Sequence, residues 1–301
     1  MNLSNDTLQR FLFEEIDIRG ELTQLHKSWQ AITENHHYPP VVRDVLAQML
    51  VAGVLLAATL KFKGRIILQI QGGGDLPLVV AECTSARAIR GLAHYNDDIQ
   101  ANSLKNLVGN GQLAITLETE DKNERYQSIV ELVGETVADA IEHYLEKSEQ
   151  LSTRLWLSVN EQTAAGLLIQ KLPSESVDDE NYQQLHDNEE GWNRVEQLSA
   201  TIRPEELLNL EAGEVIHRLF HEEDVRLFDS EPVFFRCSCS KERVANMLRN
   251  LGQAEVNSIL EEEKIINIDC EFCNHRYDFD AVDAEQLFTG TVISDHSPTQ
   301  H

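Results

Sequence analysis

The sequence is short of basic residues and has no apolar run long enough to cross a membrane. It contains 25 lysines and arginines against 51 aspartates and glutamates, for a net charge of −26. A nucleic-acid-binding protein needs lysine and arginine to neutralise phosphates, so this balance argues against DNA or RNA as the main partner. The most apolar run, residues 49–60, is too short to span a bilayer. We therefore predict no nucleic-acid partner and no membrane partner.

A secretory signal is also lacking. Residues 1–20 contain no basic region followed by a continuous apolar stretch, because acidic residues interrupt the apolar ones throughout. We therefore expect the protein in the cytoplasm.

Cysteine is scarce as well, with five in 301 residues. In a reducing cytosol, paired cysteines more often bind metal or undergo redox chemistry than form permanent disulfides.

Four of the five cysteines form two close pairs near the C-terminus. One residue separates Cys237 from Cys239, two separate Cys270 from Cys273, and thirty lie between the pairs. Two such pairs can fold together into a four-thiolate site, which is the arrangement that tetrahedral zinc prefers. Structural zinc sites commonly leave two to four residues within a pair, so the Cys-x-Cys spacing is unusual. It suggests a site that holds a metal ion and can also lose it.

Two interpretations of this quartet remain open, a purely structural zinc site and a redox switch. Basic residues beside the thiols are expected to lower their pKa and raise their reactivity. Cysteines two or three positions apart can also come within disulfide range, so oxidation would consume each pair locally and expel the zinc. The basic neighbours are Arg236, Lys241, Arg243, His275 and Arg276.

The free energy of zinc binding indicates whether the cysteine module would stay folded without the ion. Zinc supplies roughly 10–16 kcal/mol to small structural sites. A module of this size seldom obtains more than about 3–5 kcal/mol from its apolar core. Loss of the ion should therefore unfold the module.

His275 could be a spare ligand, but four thiolates already complete a tetrahedron. Cys83 stands alone at the end of a predicted strand and is predicted to be a buried core thiol.

Residues 1–176 are predicted to form an α+β domain, with antiparallel hairpins and helices laid against the sheet. The glycine-rich residues 72–74 are predicted to form a turn between two strands, because no Lys-Ser/Thr follows them as in a phosphate loop. The predicted helices are residues 23–36, 41–60 and 135–150. The predicted strands are residues 11–18, 65–71, 78–83, 112–118, 125–133, 153–159 and 166–171.

Residues 177–231 are predicted to be a helical acidic linker. The stretch 174–231 contains 17 acidic and four basic residues, a difference of −13. Like charges repel one another, while the apolar residues at helical spacing need a surface to cover them. We therefore predict helices of marginal stability that form only while docked on a neighbour. These apolar residues include Trp192, Val195, Leu198, Leu207, Leu208, Val215, Ile216, Leu219 and Phe220.

Residues 232–289 are predicted to be a small zinc-binding redox domain, followed by a polar tail at 290–301. A strand at 233–236 leads into the first cysteine pair. Ser240 is a plausible cap for a helix that Gly252 ends, and a second helix follows to residue 263. Strands at 264–269 and 276–280 flank the second cysteine pair, and a short helix closes the domain.

The cysteine spacing is similar to the signature of the heat shock protein 33 family, the redox-regulated bacterial holdase chaperones. In both, a C-terminal Cys-x-Cys is followed after about thirty residues by Cys-x-x-Cys. Three other stretches, residues 70–74, 125–130 and 166–173, also resemble that family. The resemblance extends along nearly the whole chain.

The resemblance implies a mechanism for these cysteines. Reduced protein would hold one zinc ion through Cys237, Cys239, Cys270 and Cys273 and be inactive as a chaperone. Oxidants would form the Cys237–Cys239 and Cys270–Cys273 disulfides and release the zinc. The acidic linker would then unfold, expose apolar surface and bind unfolding client proteins without ATP, often as a homodimer. No enzymatic activity is expected, and no switch role carries over to Cys83.

Two other classes of function compete with this one. A zinc-ribbon adaptor in transcription or translation would use the cysteine module as a binding surface, but the net charge argues against it. A thiol-disulfide oxidoreductase would use Cys270 and Cys273, but the pair does not lie between a strand and a helix in a thioredoxin-like βαβ unit.

Overall fold

Strands of alternating apolar residues dominate the first half of the chain, as the sequence predicts. The computed structural model describes residues 6–34, 36–60, 63–100, 103–120, 124–173 and 182–289, with only the backbone for 182–187. The chain divides into two units, Met1–Arg236 and Cys237–His301. The mixed α+β class predicted from the sequence is confirmed. The predicted linker and domain boundaries at 176/177 and 231/232 stay predictions.

The first unit contains two six-stranded sheets. Sheet A has the strand order β10–β1–β2–β9–β8, with β11 also paired to β1. Its strands are β1 (Thr7–Phe13), β2 (Ile18–Leu25), β8 (Thr153–Val159), β9 (Ala164–Lys171), β10 (Val225–Leu227) and β11 (Glu231–Pro232). Sheet B has the order β12–β5–β4–β3–β6–β7. Its strands are β3 (Gly64–Gln71), β4 (Leu78–Thr84), β5 (Ala88–His94), β6 (Gln112–Thr119), β7 (Arg125–Glu131) and β12 (Phe234–Phe235).

Seven helices accompany these sheets in the described part of the first unit. They are α1 (Lys27–Thr33), α2 (Pro40–Thr59), α3 (Leu104–Val108), α4 (Val137–Ser148), α5 (Tyr182–Ser199), α6 (Pro204–Asn209) and α7 (Ala212–Phe220). The second unit is built from α8 (Lys241–Leu251), α9 (Gln253–Glu263), the hairpin β13 (Ile266–Asp269) with β14 (Arg276–Phe279), and α10 (Ala281–Thr289).

Helix α2 is the centre of the main core of the first unit. Pro40 occupies its first turn, where a missing backbone N–H costs nothing. By length and composition alone the helix could cross a membrane, but 78% of its most apolar window is buried inside the fold. It packs against strands of both sheets. Helix α2 therefore has the environment of a core helix, as predicted for residues 41–60.

Strand β9 shows why sheet A has two apolar faces. Every residue from Ala164 to Gln170 is buried. Successive side chains of a strand point to opposite faces, so Leu168 joins the main core around α2, while Leu167 and Ile169 join a second core on the other face. A strand buried on both faces needs a cover on each side. Helices α5, α6 and α7 cover the second face.

Two sequence predictions in this region are wrong and one strand was not predicted, and packing explains each of these differences. Residues 23–25 are strand and not helix, because β2 continues to pair with β9 through Leu25. The predicted strand 11–18 is instead parts of two strands, with a turn closed by the Ile18 N–H on the Ile16 carbonyl at 2.7 Å. Strand β5 was not predicted. Its Gly91 removes a side chain where α2 approaches closely, which hides the strand pattern.

Other local predictions are confirmed. The glycine-rich turn joins β3 to β4, and a Cβ on Gly72 would lie 2.1 Å from the Val108 carbonyl oxygen. The hairpin of β6 and β7 is present, although residues 121–123 of the segment that joins its strands lie outside the described residues. Cys83 is fully buried, and burial raises the pKa of its thiol to about 12. A buried thiol that stays protonated is inert toward oxidants, as the core-thiol prediction requires.

A buried carboxylate in sheet A gives the first unit a pH dependence. Glu21 is 3% exposed, and its Oε2 atom has no hydrogen-bond partner among the described residues. Burial raises its pKa from 4.5 to about 7, although Arg19, Arg10 and Arg87 oppose the shift. Because the folded-state pKa lies above the unfolded value, ionisation destabilises the fold. The cost is absent below pH 4.5, grows up to about pH 7 and is complete above it.

We expect Glu21→Gln to stabilise the first unit by about 1–3 kcal/mol at pH 8 and by much less at pH 5. Urea unfolding followed by tryptophan fluorescence checks this, because all three tryptophans lie before residue 237. Glu161→Gln, at a side chain 88% exposed, is the control and should change nothing. Equal gains at both pH values would contradict the assignment.

Candidate metal centre

The first cysteine pair lies in an irregular segment that leads into a helix. Cys237 and Cys239 follow directly after the first unit, and Ser240 then caps α8 by accepting a hydrogen bond from the Arg243 N–H at 3.2 Å. The predicted cap and the predicted end at Gly252, which has φ +99°, are both confirmed. The capped helix fixes the direction in which the chain leaves Cys239.

The second pair forms a tight turn between the two strands of a hairpin. The Cys270 N–H donates to the His275 carbonyl at 3.0 Å, and the N–H groups of Cys273 and Asn274 both donate to the Cys270 carbonyl. Asn274 has φ +54°, a left-handed conformation that asparagine tolerates. Antiparallel pairing of β13 with β14 closes the turn. These backbone hydrogen bonds hold Cys270 and Cys273 close together in one turn.

The four sulfurs come together as one cluster. All four Sγ atoms lie within 4.8 Å of one another, and the side chains are half-buried. The Cys237–Cys270 sulfur distance is 3.6 Å and the Cys239–Cys273 distance is 3.4 Å. A tetrahedral ion with Zn–S bonds of about 2.3 Å places its sulfurs about 3.8 Å apart. The donor set and its spacing therefore fit a tetrahedral metal ion.

The structure places His275 outside this cluster. Its ring packs edge-on against Tyr277, with centroids 4.6 Å apart. Among the described residues, the four cysteines alone form a group of this kind. The prediction that basic neighbours lower the thiol pKa is wrong for Cys273, whose pKa is raised, first by burial and then by the neighbouring thiols. Thiols this crowded need a cation if they are to ionise together.

The basic residues beside the cluster have other partners. Arg276 forms a two-pronged ion pair with Asp269, with both N–O distances at 2.8 Å. Lys241 faces Asp283 at 3.5 Å. Arg243 donates to the Ser238 hydroxyl at 2.7 Å. These contacts support the local fold around the sulfurs.

Sequence analysis missed one side chain at this centre. The Tyr277 hydroxyl donates a hydrogen bond to the Cys239 sulfur at 3.1 Å. Tyr277 lies on β14 and pairs with Ile268 of β13. The hairpin that contains the second cysteine pair therefore places this phenol beside a sulfur of the first pair. The signal available in the sequence was the alternation of β14, in which Tyr277 and Phe279 share one face.

The apolar core around the centre is small. Its buried side chains are Ala245, Leu248, Val256, Ile266, Phe279, Ala284 and Leu287. Two of the seven are alanines, and several large apolar side chains of the unit are exposed instead, including Met247 and Val282 at 52% and 61%. A core of this size contributes little to stability, so a bound ion would account for much of it.

The second functional feature is the apolar face of sheet A that lies beneath α5, α6 and α7. Phe11 and Phe13 of β1 meet Phe220 of α7, with ring centroids 5.8 and 5.1 Å away. The helices contribute further buried side chains, namely Trp192, Val195, Leu207, Leu208, Val215, Ile216 and Leu219. The predicted apolar residues of the acidic linker are thus the ones that cover this face.

Ion pairs at the margin of this face fasten the helices. Arg154 of β8 contacts Glu196 of α5 at 2.6 Å. Lys171 at the end of β9 pairs with Glu189. These surface pairs contribute little each, so the apolar contacts provide most of the attachment.

Comparison with known proteins agrees with this architecture. The sequence profile of the Hsp33 protein family matches residues 6–280. The chain is 49% identical to the 33 kDa chaperonin of Nitrosococcus oceani over 298 residues, covering 99% of each chain. It is 44% identical to the 33 kDa chaperonin of Chromobacterium violaceum over 304 residues, covering all of both.

A solved structure shares the fold. The crystal structure of the 33 kDa chaperonin (heat shock protein 33 homolog) of Thermotoga maritima superposes with a TM-score of 0.78 at 22% identity, covering 94% of this chain and 98% of that one. The family is a chaperone family and not a class of enzymes, as the sequence resemblance implied. On the profile match and on identity over its whole length, the chain belongs to the Hsp33 family.

Proposed function

We propose that the protein is a redox-regulated holdase chaperone that works without ATP and is switched by the four cysteines. The observation that carries this proposal is the apolar face of sheet A, which is covered by acidic helices that lead in sequence to a four-sulfur cluster. A surface that binds unfolding proteins must be apolar, and it must be hidden when it is not needed. The linker helices supply the cover, and the cysteines supply the control.

The reduced protein holds one zinc ion per chain through Cys237, Cys239, Cys270 and Cys273. Zinc is the ion that four thiolates in a tetrahedron favour, and it contributes structure without redox chemistry of its own. All oxidation therefore takes place on sulfur. In this state residues 232–289 are folded, the linker at 177–231 is docked, and the chaperone is inactive.

Oxidation by peroxide at raised temperature consumes the ligands in pairs. Each pair of thiolates gives two electrons to one peroxide molecule, the two sulfurs bond to each other, and two protons are taken up as water forms. Two peroxide molecules thus yield the Cys237–Cys239 and Cys270–Cys273 disulfides and four waters. No thiolate then remains to hold the cation, which is released as Zn²⁺.

Loss of the ion unfolds the cysteine module and then the linker. The domain at 1–176 stays folded and presents its apolar face to unfolding client proteins. The oxidised form acts as a homodimer in the cytoplasm. The net charge of −26 supports a protein without a nucleic-acid partner. Membership of a chaperone family supports this function over a zinc-ribbon adaptor or a thiol-disulfide oxidoreductase.

One experiment tests this function as a whole. Zinc-loaded protein is treated with peroxide at elevated temperature, zinc release is followed with a chromogenic chelator, and aggregation of an unfolding test protein is followed by light scattering. We expect one zinc per chain to be released, and aggregation to be suppressed only after that release. Cys83→Ser, which alters the thiol outside the cluster, is the control and should behave in the same way. Zinc release with unchanged aggregation would overturn the proposal.

Tyr277 should hold the zinc-bound form of Cys239 in place. Its hydroxyl donates to the sulfur at 3.1 Å, and such a bond both orients a ligand and withdraws electron density from it. We expect Tyr277→Phe to lower zinc affinity about tenfold and to speed zinc release by peroxide. Competition with a metal chelator measures the first effect, and stopped-flow mixing measures the second.

Tyr126→Phe is the matched control for that substitution. Tyr126, an exposed residue of β7, also donates its hydroxyl, at 2.8 Å, but to Glu124 just before the strand. It should leave both quantities unchanged. If Tyr277→Phe retained parental zinc affinity and parental release kinetics, the hydroxyl would have no role at the metal centre.

A further inference from the structure

The outer edge of sheet A is covered by a segment of the chain itself. Residues 224–232, here called the strap, contain the short strands β10 and β11 and run along β1. Val225, Arg226 and Leu227 pair with Phe13, Leu12 and Phe11. Glu231 and Pro232 pair with Leu8 and Thr7. The strap thus covers the backbone of an edge strand that would otherwise offer free N–H and C=O groups.

The strap occupies the edge through two short ladders. The Glu14 N–H donates to the Asp224 carbonyl at 2.9 Å, and the Phe228 N–H donates to the Arg10 carbonyl at 3.0 Å. Strands of three and two residues are short for a sheet. Leu227 and Phe228 remain 48% and 41% exposed. The strap is therefore attached to β1 by only short ladders and by side chains that remain partly exposed.

The side chains of the strap show what the edge recognises. Val225 packs beside the apolar face that contains Phe11 and Phe13. Two guanidinium groups contact the Phe228 ring, with the Arg10 and Arg226 carbons 5.6 and 5.4 Å from its centre. An extended segment with alternating apolar residues followed by an aromatic residue therefore fits this edge.

A carboxylate completes the pattern three residues after the aromatic ring. Glu231 contacts Arg10 at 2.7 Å and Arg87 at 2.9 Å. Arg87 is 8% exposed, and the Arg10 Nε and Arg87 Nη1 atoms are buried without a hydrogen-bond partner among the described residues. The buried Arg87 and the half-buried Arg10 together form a receptor for a carboxylate.

We infer that the outer edge of β1 is a docking site for clients, where an extended apolar client segment adds to sheet A as a strand in place of the strap. This inference rests on the proposed function, since the strap joins the linker helices to Cys237 and leaves its place when they unfold. An edge strand supplies main-chain hydrogen bonds that do not depend on client sequence. That property suits a chaperone with many clients, and the arginine pair adds a preference for a nearby acidic residue.

The test uses a fluorescent peptide with the sequence of residues 224–232 and the full-length protein. Fluorescence anisotropy should show binding to oxidised protein at least tenfold tighter than to the zinc-loaded form. N-methylation at the Phe228 position removes an N–H that bonds to β1 and should weaken binding about tenfold, the equivalent of one lost hydrogen bond of about 1.4 kcal/mol. N-methylation at the Leu227 position is the matched control, because that N–H points away from β1.

A substitution in the strap tests whether zinc-loaded protein fails to bind the peptide because the strap covers the edge of β1. The alternative is that this edge does not bind peptides at all. Val225→Asp weakens the strap on its apolar side, and we expect this variant to bind the peptide without oxidant. Ser230→Asp adds the same charge on an exposed residue and should not. Excess peptide should also displace an unfolding client from oxidised protein.

The outcomes distinguish this inference from the proposed function. If oxidised protein suppresses aggregation but the two N-methylated peptides bind equally well, clients bind elsewhere and the inference is overturned. The same follows if neither oxidised protein nor Val225→Asp binds the peptide. If oxidised protein releases zinc and does not suppress aggregation, the proposed function itself fails.

Discussion

Removing zinc from the reduced protein should unfold residues 237–289 and loosen the linker helices, while the main core around α2 stays folded. The core of the second unit consists of seven side chains, two of them alanines. Such a core supplies about 3–5 kcal/mol, while a structural zinc site supplies roughly 10–16 kcal/mol. The first unit has a separate and much larger core around α2. Hydrogen exchange with mass spectrometry, before and after chelation under reducing conditions, measures both units in one sample.

Two substitutions refine that result. Cys239→Ser removes one ligand, so we expect it to lower metal affinity and to loosen residues 182–231 toward protease even without oxidant. Cys83→Ser changes a thiol of the first unit that lies outside the cluster and should keep one metal per chain. Adding zinc back to the chelated parent should restore protection. If amide protection in α8, α9 and β13 survived chelation, the metal would not hold this unit together.

A charge placed under the linker helices should activate the chaperone without any oxidation. Ile216 of α7 is 3% exposed and belongs to the apolar cover of sheet A. Ile216→Asp removes an aliphatic side chain and buries a carboxylate without a partner, at a cost of about 3–5 kcal/mol. Apolar side chains of this kind provide most of the attachment of the linker helices to the sheet, with hydrogen bonds and ion pairs at the margin. We therefore expect them to leave the sheet while zinc stays bound.

His217→Asp is the matched control for this variant. His217 is the next residue of α7 and is exposed, so the substitution adds a carboxylate that water can solvate. Trp192, which is 6% exposed on α5, should report the difference through a red-shifted emission in Ile216→Asp alone. The same variant should suppress aggregation in its reduced form. If reduced Ile216→Asp lost its linker packing and still held no client, the face beneath α7 would not be the client surface.

The sequence predicts the cysteine cluster better than it predicts the sheets. The four cysteines form a cluster as expected, namely Cys237, Cys239, Cys270 and Cys273. The short spacing within each pair keeps its two thiols close together whatever the rest of the fold is. Ser240 and Gly252 likewise mark the ends of α8, since caps depend on neighbouring backbone groups. Features of this kind can be predicted without knowledge of the rest of the fold.

Features that depend on distant partners were predicted less well. The strand β2 extends to Leu25 because β9, about 140 residues away in the sequence, pairs with it. The division of the strands into two sheets, and the pairing of β12 with β5, depend on contacts of the same kind. Strand β12 is parallel to β5, whereas the sequence predicted antiparallel hairpins for residues 1–176 and a strand at 233–236 without a partner. No local pattern in the two residues of β12 could have indicated this.

The electrostatics of the thiols also required the structure. Basic residues adjacent in sequence were expected to activate the cysteines, but Arg276 is engaged by Asp269 and Lys241 faces Asp283. Burial and mutual crowding then raise the pKa of Cys273. Adjacency in sequence therefore gave the wrong sign for Cys273, because it does not show how far a thiol is buried in the fold. The structure was also needed for Tyr277, whose contact with Cys239 crosses 38 residues.

The most direct test of the account follows the linker and the metal in one time course. Zinc-loaded protein is treated with peroxide at elevated temperature, and each sample is divided for zinc release and for hydrogen exchange. We expect α5, α6 and α7 to lose amide protection at the rate of zinc release, while β3 and β4 keep theirs. If all zinc were released and both disulfides formed while these helices stayed protected, the cysteines would not control the linker.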